Sequence, residues 1–318
     1  MATASAPGKI ILFGEHAVVY GRPALAVPVT QVQAKVTAEK TGQDAGKNWA
    51  DAVLVQAADI GLSSPLSRLL ADSSPHPLAT VIEKTLQRLG INRPAAFRVT
   101  IRSSIPVASG LGSGAAVSVA IIRALTELFE RPLPAEQVNQ LAYEIEKLHH
   151  GTPSGIDNTV ITYAKPVYFV RGQPIETFSV AQPFSLVIAD TGIAAPTRES
   201  VGDLRKLWQA DPSRWEAVFE RVGEIVRQAR QAIESGETVR LGPLMDANQA
   251  LLQEMTVSSP ELDHLVLAAK TAGAEGAKLS GGGRGGNMIA LAQPQSAESV
   301  ASALKAAGAK QTILTTIR

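Results

Sequence analysis

The sequence contains no cysteine among its 318 residues, which excludes both a disulfide framework and a thiolate metal site. Net charge is also nearly absent, because 30 basic and 29 acidic residues leave a formal charge of +1. Proteins that bind nucleic acids or membrane surfaces usually carry a concentrated basic face instead. The N-terminal segment lacks a basic start before an apolar run and so does not indicate a signal peptide. We expect a cytoplasmic protein that binds neither nucleic acid nor membrane.

Uninterrupted apolar runs that could span a membrane are scarce. The segment Ser103–Ile122 is uncharged and has about the length of a membrane span. It includes Pro106, Gly110, Gly112 and Gly114, which favour a loop over a lipid-facing helix. We therefore interpret this segment as part of a water-soluble domain.

A chain of this length can form two domains with large cores. Strand-like and helix-like spacings of apolar residues mix along the sequence, which predicts an α+β fold. The predicted strands are Lys9–Phe13, Gln31–Ala38, Phe97–Ile101, Phe184–Ala189, Asn287–Leu291 and Gln311–Thr316. The predicted helices are Pro77–Leu89, Ser113–Phe129, Pro134–His150, Ser200–Trp208, Trp215–Ile233, Leu241–Met255, Leu262–Ala272 and Ala297–Ala307. Residues 42–64 are polar-rich and are expected to be irregular, and we place the domain boundary near residue 178, giving domains 1–178 and 179–318.

The segment Pro106–Ala116 (PVASGLGSGAA) lies between a predicted strand and a predicted helix. Its glycines allow successive backbone N–H groups to point inward, and the helix adds its positive end, which suits a polyphosphate. A Walker A loop needs Lys after the last glycine, where this chain has Ala115. A dinucleotide-binding loop needs an acidic residue at the end of the next strand, whereas Glu127 and Glu130 fall on or just after the same helix. A Gly-rich turn without a ligand remains the alternative.

Two further segments carry charged groups beside glycines. Lys9 begins a strand, and Glu15 and His16 follow the end of that strand, so a cation, a carboxylate and an imidazole are expected near one another. In Glu146–Asp157 (EKLHHGTPSGID), two carboxylates flank a turn; near a phosphate site one can hold Mg²⁺ and the other can engage an acceptor hydroxyl. Solvated charges, and a loop-end cap for Asp157, are the structural alternatives.

The segment Lys278–Leu291 (KLSGGGRGGNMIAL) is a second Gly-rich turn. Together with APGKIILFGEHAVVYG (6–21) and PVASGLGSGAA, it resembles the three motifs of the GHMP kinases, in order and at fitting separations. The resemblance covers nearly the whole chain, and the ordered set is more specific than any one motif. It implies a two-domain fold, with an N-terminal domain like the second domain of ribosomal protein S5 and a ferredoxin-like C-terminal domain.

Within the family, three runs resemble the branch that acts on mevalonate: GEHAVVYGRPALA (14–26), HGTPSGIDN (150–158) and DTGIAAPTRESV (190–201). The resemblance implies ATP-dependent phosphorylation of the primary hydroxyl of mevalonate to 5-phosphomevalonate, in isoprenoid biosynthesis, with Mg²⁺ as cofactor. A homodimer is compatible with it. The alternatives are a GHMP kinase for phosphomevalonate or a sugar, and an inactive small-molecule sensor on the same fold.

The resemblance also implies individual roles. Asp157 corresponds to the catalytic base and Lys9 to the lysine that polarises the reacting hydroxyl. Metal binding falls to Glu146 and Ser113, and substrate binding to Glu15, His16, Thr197 and Arg198. The implied ATP-binding residues are Pro106, Val107, Ala108, Ser109, Gly110, Leu111, Gly112, Ser113, Gly114, Ala115 and Ala116.

Two positions depart from the family pattern. Gly114 stands where the phosphate loop usually has a second serine, and Arg284 interrupts the usual glycine run. We expect Arg284 to contact a phosphate or to point to solvent. An acid substrate needs a cation for its carboxylate, and His16 and Arg198 are the candidates.

Overall fold

The computed structural model describes residues 1–42, 48–71, 76–106, 110–150, 153–174, 176–195 and 197–318, the side chains of residues 149 and 150 excepted. Internal contacts divide the chain into two compact units. The first unit comprises Met1–Gly8, Val32–Pro106 and Gly112–Ala164. The second unit comprises Lys9–Gln31, Val107–Leu111 and Lys165–Arg318. The domain boundary near residue 178 stays a prediction.

The sheet of the first unit is built around a long strand. Strands β1 (Ala2–Phe13) and β2 (Ala24–Lys40) pair with each other and contribute residues to both units. The other strands are β3 (Val53–Ala57), β4 (Leu62–Pro65) and β5 (Phe97–Ser103), in the order β4-β3-β5-β2. Only the β3–β5 pair in this order is parallel.

Residues 42–64 were expected to be irregular, and this prediction is wrong for the part that forms β3 and β4. Val53, Val55 and Ala57 alternate buried with half-buried neighbours along β3, the pattern of a strand packed on one face. The strand is short and lies among polar residues, so averaging over a longer stretch of sequence does not detect the alternation.

Helices complete the first unit. They are α1 (Leu66–Leu70), α2 (Pro77–Arg88), α3 (Ser113–Leu128), α4 (Ala135–His150) and α5 (Ile156–Tyr163). Helix α3 packs against α2, α4 and α5, and most of its residues are buried. A helix that is apolar on most sides belongs at the centre of its unit. The C-terminal half of the uncharged segment Ser103–Ile122, from Ser113 onward, therefore belongs to a core helix.

The second unit contains a four-stranded antiparallel sheet. Its strands are β8 (Phe184–Asp190), β9 (Gly276–Ser280), β10 (Asn287–Ala292) and β11 (Gln311–Ile317), in the order β11-β8-β10-β9. With α10 (Ala297–Ala306) between β10 and β11, this is the strand order of the ferredoxin-like fold. The α+β architecture and the ferredoxin-like C-terminal sheet are confirmed.

The second unit also contains two short strands and four α-helices. They are β6 (Val167–Phe169), which pairs with β2, β7 (Glu176–Thr177), which pairs with β6, α6 (Thr197–Ala210), α7 (Pro212–Ser235), α8 (Leu241–Glu254) and α9 (Pro260–Thr271). In the described part of the chain, every helix is too short or too polar to cross a membrane.

Helix α8 lies along β9, the terminal strand of the four-stranded sheet. The backbone N–H of Ala277 donates to Asp246 Oδ1 at 3.1 Å, and that of Leu279 donates to Gln249 Oε1 at 2.9 Å. A Cβ on Gly276 would lie 2.3 Å from the carbonyl oxygen of Gly242. The glycines therefore permit a close approach of helix and strand, and polar side chains of α8 satisfy the outward N–H groups of β9.

Candidate active site

A buried ion pair joins the N-terminal motif to the late Gly-rich motif within the second unit. Lys278 Nζ donates to Glu15 Oε1 and, at 2.5 Å, to the carbonyl oxygen of Leu279. Both charged side chains are completely buried. Burial raises the pKa of the Glu15 carboxyl above its ordinary value, while the Lys278 ammonium opposes that rise. Removing either partner would leave a buried charge without compensation.

A second contact ties the same two motifs together. Ser280 Oγ donates to the carbonyl oxygen of Ile11 at 2.7 Å, which joins the end of β9 to the last residues of β1. The turn after β1 begins at Gly14, where φ is +98° and an added Cβ would lie 2.5 Å from the carbonyl oxygen of Pro23. Only glycine fits this position, so the backbone that presents Glu15 is fixed by packing.

His16 is held in an unusual state. Its backbone has φ +62° and ψ −49°, outside the left-handed helical region and uncommon for any residue other than glycine, and its side chain is buried. Nε2 lies 3.1 Å from the carbonyl oxygen of Gly282; because a carbonyl only accepts, Nε2 carries the hydrogen. Burial lowers the pKa of His16 to about 4, so the ring is neutral near pH 7. The expectation that His16 provides a cation for a substrate carboxylate stays a prediction, and the neutral ring does not favour it.

The carbonyl oxygen of Gly282 is a shared acceptor. Besides His16, Ser200 Oγ donates to it at 2.8 Å, and Ser200 is fully buried in the first turn of α6. A Cβ on Gly282 would lie 2.2 Å from Thr197 Oγ1, so the Gly-rich turn touches the residue that begins α6. Thr197 and Arg198 are both exposed there. The structure thus places both predicted substrate residues on the helix that packs against the glycine turn.

Arg284 anchors that glycine turn to its surroundings. Its Nη1 donates to Asp203 Oδ2 at 2.7 Å and its Nε to the carbonyl oxygen of Thr256 at 3.3 Å. The hydrogen bond from Arg284 lowers the pKa of Asp203. The guanidinium therefore links the turn to α6 and to the end of α8, an arrangement that differs from the expected phosphate contact or solvent exposure.

The middle of the phosphate loop, Gly110 and Leu111, belongs to this same cluster. The backbone N–H of Lys9, a buried residue, donates to the carbonyl oxygen of Leu111 at 3.0 Å. A Cβ on Gly110 would lie 3.7 Å from Asn287 Nδ2. Parts of all three sequence motifs are therefore neighbours in the second unit. Val107, Ala108 and Ser109 lie outside the described residues.

The rest of the phosphate loop begins α3 in the first unit. Gly112 is the N-cap in a left-handed conformation (φ +74°), and no side chain of the described residues caps the helix. The N–H groups of the first turn, Ser113 to Ala115, have no partner within the helix, which suits a bound phosphate. Gly114 is exposed and has open space around it.

Glu146 and Asp157 lie on two helices of the first unit that pack against each other, α4 and α5. Asn158 Nδ2 donates to Asn139 Oδ1 at 2.6 Å and fixes α5 against α4. Asp157 is in the first turn of α5, after Gly155 in the left-handed region, where the helix dipole favours its negative charge. Both carboxylates are half-buried.

Several residues of this cluster were missed by sequence reasoning. Lys278 was noted only as the first residue of a glycine motif, and neither Ser200 nor Asp203 was singled out. A lysine inside the otherwise apolar strand Gly276–Ser280 was the available signal, because lysine is almost never fully buried unless it is paired.

The chain matches two family descriptions. Residues 77–165 match the family described as "GHMP kinases N terminal domain", and residues 229–310 match "GHMP kinases C terminal". Both matches fall outside the N-terminal motif, which therefore supports the assignment independently.

Individual proteins are similar over nearly the whole chain. A mevalonate kinase of Pyrococcus abyssi is 36% identical, with 97% of this chain and 93% of the relative covered. The crystal structure of L. major mevalonate kinase in complex with R-mevalonate superposes with a TM-score of 0.85 at 31% identity, covering 100% of this chain and 96% of that one. A phosphomevalonate kinase of Streptococcus pneumoniae superposes with a TM-score of 0.78 at 16% identity, covering 99% and 100%; at that identity the likeness concerns the fold alone.

Proposed function

Because this chain belongs to the GHMP kinase family, we propose that it transfers the γ-phosphoryl group of ATP to the primary hydroxyl of mevalonate. The products are 5-phosphomevalonate and ADP. The observation that carries the proposal is the near full-length similarity to mevalonate kinases. The joining of parts of all three motifs in the second unit supports it.

Asp157 and Lys9 are the catalytic residues of the proposal. The Asp157 carboxylate accepts the proton of the primary hydroxyl or orients that group, and the Lys9 ammonium lowers the pKa of the hydroxyl. Phosphoryl transfer has a loose transition state, so the protein acts mainly by positioning the reactants and by stabilising charge. The rigid settings of both residues, in the first turn of α5 and on the buried strand β1, support these roles.

ATP binding is assigned to the phosphate loop, Pro106–Ala116. The left-handed conformations of Gly110 and Gly112 and the uncapped N-terminus of α3 support this assignment. Hydrogen bonds from backbone N–H groups do not depend on the side chains of the loop. A glycine at position 114 is therefore compatible with phosphate binding.

We assign Mg²⁺ to the Glu146 carboxylate, with the Ser113 hydroxyl as a second oxygen donor. The described residues include no group of three or more His, Asp or Glu side chains arranged to hold a metal. Mg²⁺ in kinases is usually bound through one or two carboxylates and the substrate phosphates, so this donor set fits the ion. When bound, it would neutralise charge on the phosphate oxygens.

Arg198 is the proposed partner of the mevalonate carboxylate, since His16 is neutral. Its exposed position in the first turn of α6, beside the glycine turn, supports this role. Glu15, His16 and Thr197 complete the proposed substrate residues. Assembly as a homodimer and a cytoplasmic location stay predictions.

The test is a coupled ADP-release assay with purified protein, Mg²⁺–ATP and a panel of acceptors. Mevalonate, phosphomevalonate, galactose and homoserine are compared at equal concentration, and ³¹P NMR identifies the product. We expect turnover with mevalonate and a phosphomonoester on its primary carbon. Faster transfer to phosphomevalonate or to a sugar would replace the proposed substrate within the same family, and ATP binding without transfer to any acceptor would favour an inactive sensor.

A further inference from the structure

The glycine turn between β9 and β10, Gly281–Gly286, carries one side chain beyond glycine, that of Arg284. The turn is packed closely against the segment that follows α8. A Cβ on Gly283 would lie 1.9 Å from the carbonyl oxygen of Val257, and the backbone N–H of Arg284 donates to the same oxygen at 2.8 Å. The Arg284 side chain therefore projects from a fixed backbone.

Arg284 occupies a backbone position that glycine would occupy more easily. Its φ is +55°, in a range that is uncommon for residues with a Cβ. Holding such a residue there costs free energy, which the surroundings must supply. An arginine at this position, within a run of glycines, indicates a task for its side chain.

The guanidinium of Arg284 is held in two directions. Its Nη1 donates to Asp203 Oδ2 on α6 at 2.7 Å, and its Nε donates to the carbonyl oxygen of Thr256 at 3.3 Å. Because the guanidinium is planar, two bonds to separate partners fix both its position and its orientation. Arg284 thus braces α6 against the segment that follows α8.

The glycine turn contacts α6 along one face of that helix. Thr197, Ser200 and Asp203 are spaced by three residues, which places them on the same side of α6. A Cβ on Gly282 would lie 2.2 Å from Thr197 Oγ1, and Ser200 Oγ donates to the carbonyl oxygen of Gly282. The bond from Arg284 to Asp203 extends these contacts by one helical turn. Contacts at two successive turns fix the rotation of α6 about its axis.

We propose that Arg284 is a positioning residue for the acceptor, which braces α6 through Asp203 and so directs the guanidinium of Arg198 to the acceptor carboxylate. The inference rests on the proposed function, in which Arg198 binds that carboxylate. Arg198 is exposed in the first turn of α6, so the helix beneath it determines where its long side chain begins. Small displacements of a binding group weaken binding strongly. In this role Arg284 contacts neither the acceptor nor ATP.

Arg284→Asn removes the brace with little risk to the fold. Asparagine adopts a positive φ more readily than arginine does, and it is too short to reach Asp203. The KM for mevalonate should rise about 10-fold while kcat stays within about twofold, as expected when binding common to the ground and transition states is lost. The KM for ATP should not change. A raised KM for ATP with an unchanged KM for mevalonate would assign Arg284 to a phosphate and refute the proposal.

Asp203→Ala removes the other partner of the brace. Alanine is compatible with the helix, and Arg284 stays in place. The KM for mevalonate should rise as it does in Arg284→Asn, and the double variant should be no worse than either single variant, because both changes break one contact. An unchanged KM in Asp203→Ala, or losses that multiply in the double variant, would contradict the brace.

The dependence on Arg198 separates positioning from general support of the fold. In an Arg198→Gln background, Arg284→Asn should raise the KM for mevalonate by less than about twofold, because the group that it positions is already absent. A further rise as large as in the wild-type background would show that Arg284 does not act through Arg198, and the inference would fail.

A change of acceptor tests the same point without a second substitution. In 3-methylpentane-1,3,5-triol a hydroxymethyl group replaces the carboxylate of mevalonate. Arg284→Asn should lower kcat/KM for mevalonate about 10-fold and change that for the triol by less than about twofold. Equal losses on both acceptors would show that the brace does not serve carboxylate binding.

Arg230→Gln is the matched control. Arg230 Nη1 lies 2.7 Å from Glu176 Oε2, the same distance as in the Arg284–Asp203 pair, and the side chains are 25% and 51% exposed against 28% and 43%. This variant should keep the wild-type KM for mevalonate, and an equal rise would remove any specific role of Arg284. Failure of the proposed function is distinguishable, because it appears as absent phosphoryl transfer to mevalonate by the wild-type protein.

Discussion

Asp157 is the side chain on which the proposed chemistry depends most. Asp157→Asn keeps the shape of the side chain and its place in the first turn of α5 but removes the charge that accepts a proton. We expect turnover with mevalonate to fall by roughly 10²-fold or more, while ATP affinity and the melting temperature change little. Steady-state kinetics and titration with a fluorescent ATP analogue measure the two effects separately.

Asp51→Asn is the matched control for that variant, because Asp51 is an exposed carboxylate in the first turn of a short 3-10 helix. It should retain wild-type turnover. Near-normal turnover in Asp157→Asn would remove this residue from its assigned role.

The buried neutral His16 makes stability depend on pH. Its pKa is lowered from 6.5 to about 4, so the unfolded chain takes up a proton at a higher pH than the folded protein does. The stabilisation is therefore complete above pH 6.5 and is lost as the pH falls from 6.5 toward 4, by about 3 kcal/mol. Urea midpoints of wild-type protein and His16→Gln at pH 7, 6, 5 and 4.5 measure this loss.

The difference between the two proteins is the quantity of interest, because Glu15 also titrates. The pKa of Glu15 is raised, so its protonation favours the folded state as the pH falls and opposes the effect of His16. Because Glu15 is present in both proteins, the difference between their urea midpoints should narrow steadily below pH 6.5. A difference that is constant across this range would show that the pKa of His16 is the same in the folded and unfolded states.

At the level of single residues, the sequence predicted which side chains matter better than it predicted their states. Lys9, Glu15 and His16 were found because they stand beside glycines in a recognisable motif. The neutral state of His16 depends on Gly282, which is far away in sequence. Likewise, Lys278 can be buried because its ammonium is paired with Glu15, 263 positions earlier. Local patterns cannot show such partners.

At the level of elements, the N-terminus of α3 is the most informative place for substitution. Gly114 lies in helical backbone with open space around it, so Gly114→Ser adds a hydroxyl without steric conflict. We expect tighter binding of Mg²⁺–ATP and an unchanged choice of acceptor, because the serine restores an oxygen donor near the phosphates. Isothermal titration with a non-hydrolysable ATP analogue measures the affinity.

The neighbouring glycine gives the contrast. Gly112 has φ +74° as the N-cap of α3, so Gly112→Ser forces a side chain into a left-handed conformation and should cost about 1 kcal/mol or more of stability. If Gly114→Ser and Gly112→Ser weaken Mg²⁺–ATP binding equally, the loop needs glycine at position 114 although there is space for a side chain.

Elements with long apolar stripes were predicted to within a few residues, as the agreement for α2, α3 and α10 shows. The missed elements are short or contain a charged residue. Strand β9 was hidden because Lys278 interrupts its apolar run, and α5 was taken as the end of a turn because it has only 8 residues. Tertiary partners, and not local periodicity, form these elements.

At the level of the whole molecule, metal removal should affect catalysis and leave the fold intact. The described residues hold no cluster of metal-ligating side chains that could serve as a structural site. EDTA in excess over Mg²⁺ should therefore abolish phosphoryl transfer while the melting temperature of the nucleotide-free protein stays within about 1 °C, since no ligand-linked stabilisation is lost. Thermal shift and activity measurements on the same sample test both statements.

Readdition of Mg²⁺ should restore activity fully, and Ca²⁺, which prefers more ligands at longer distances, should restore much less. A large drop in melting temperature with EDTA alone would reveal a metal that stabilises the fold.

Helix α8 covers the β9 edge of the C-terminal sheet, and this restricts how copies of this chain can associate. An exposed strand edge is a template for strand addition by another molecule, in ordered assembly and in aggregation. At β9 that template is blocked, because the N–H groups of Ala277 and Leu279 already donate to Asp246 and Gln249 of α8. A homodimer of this protein therefore cannot form by continuing its C-terminal sheet across β9 into a second subunit.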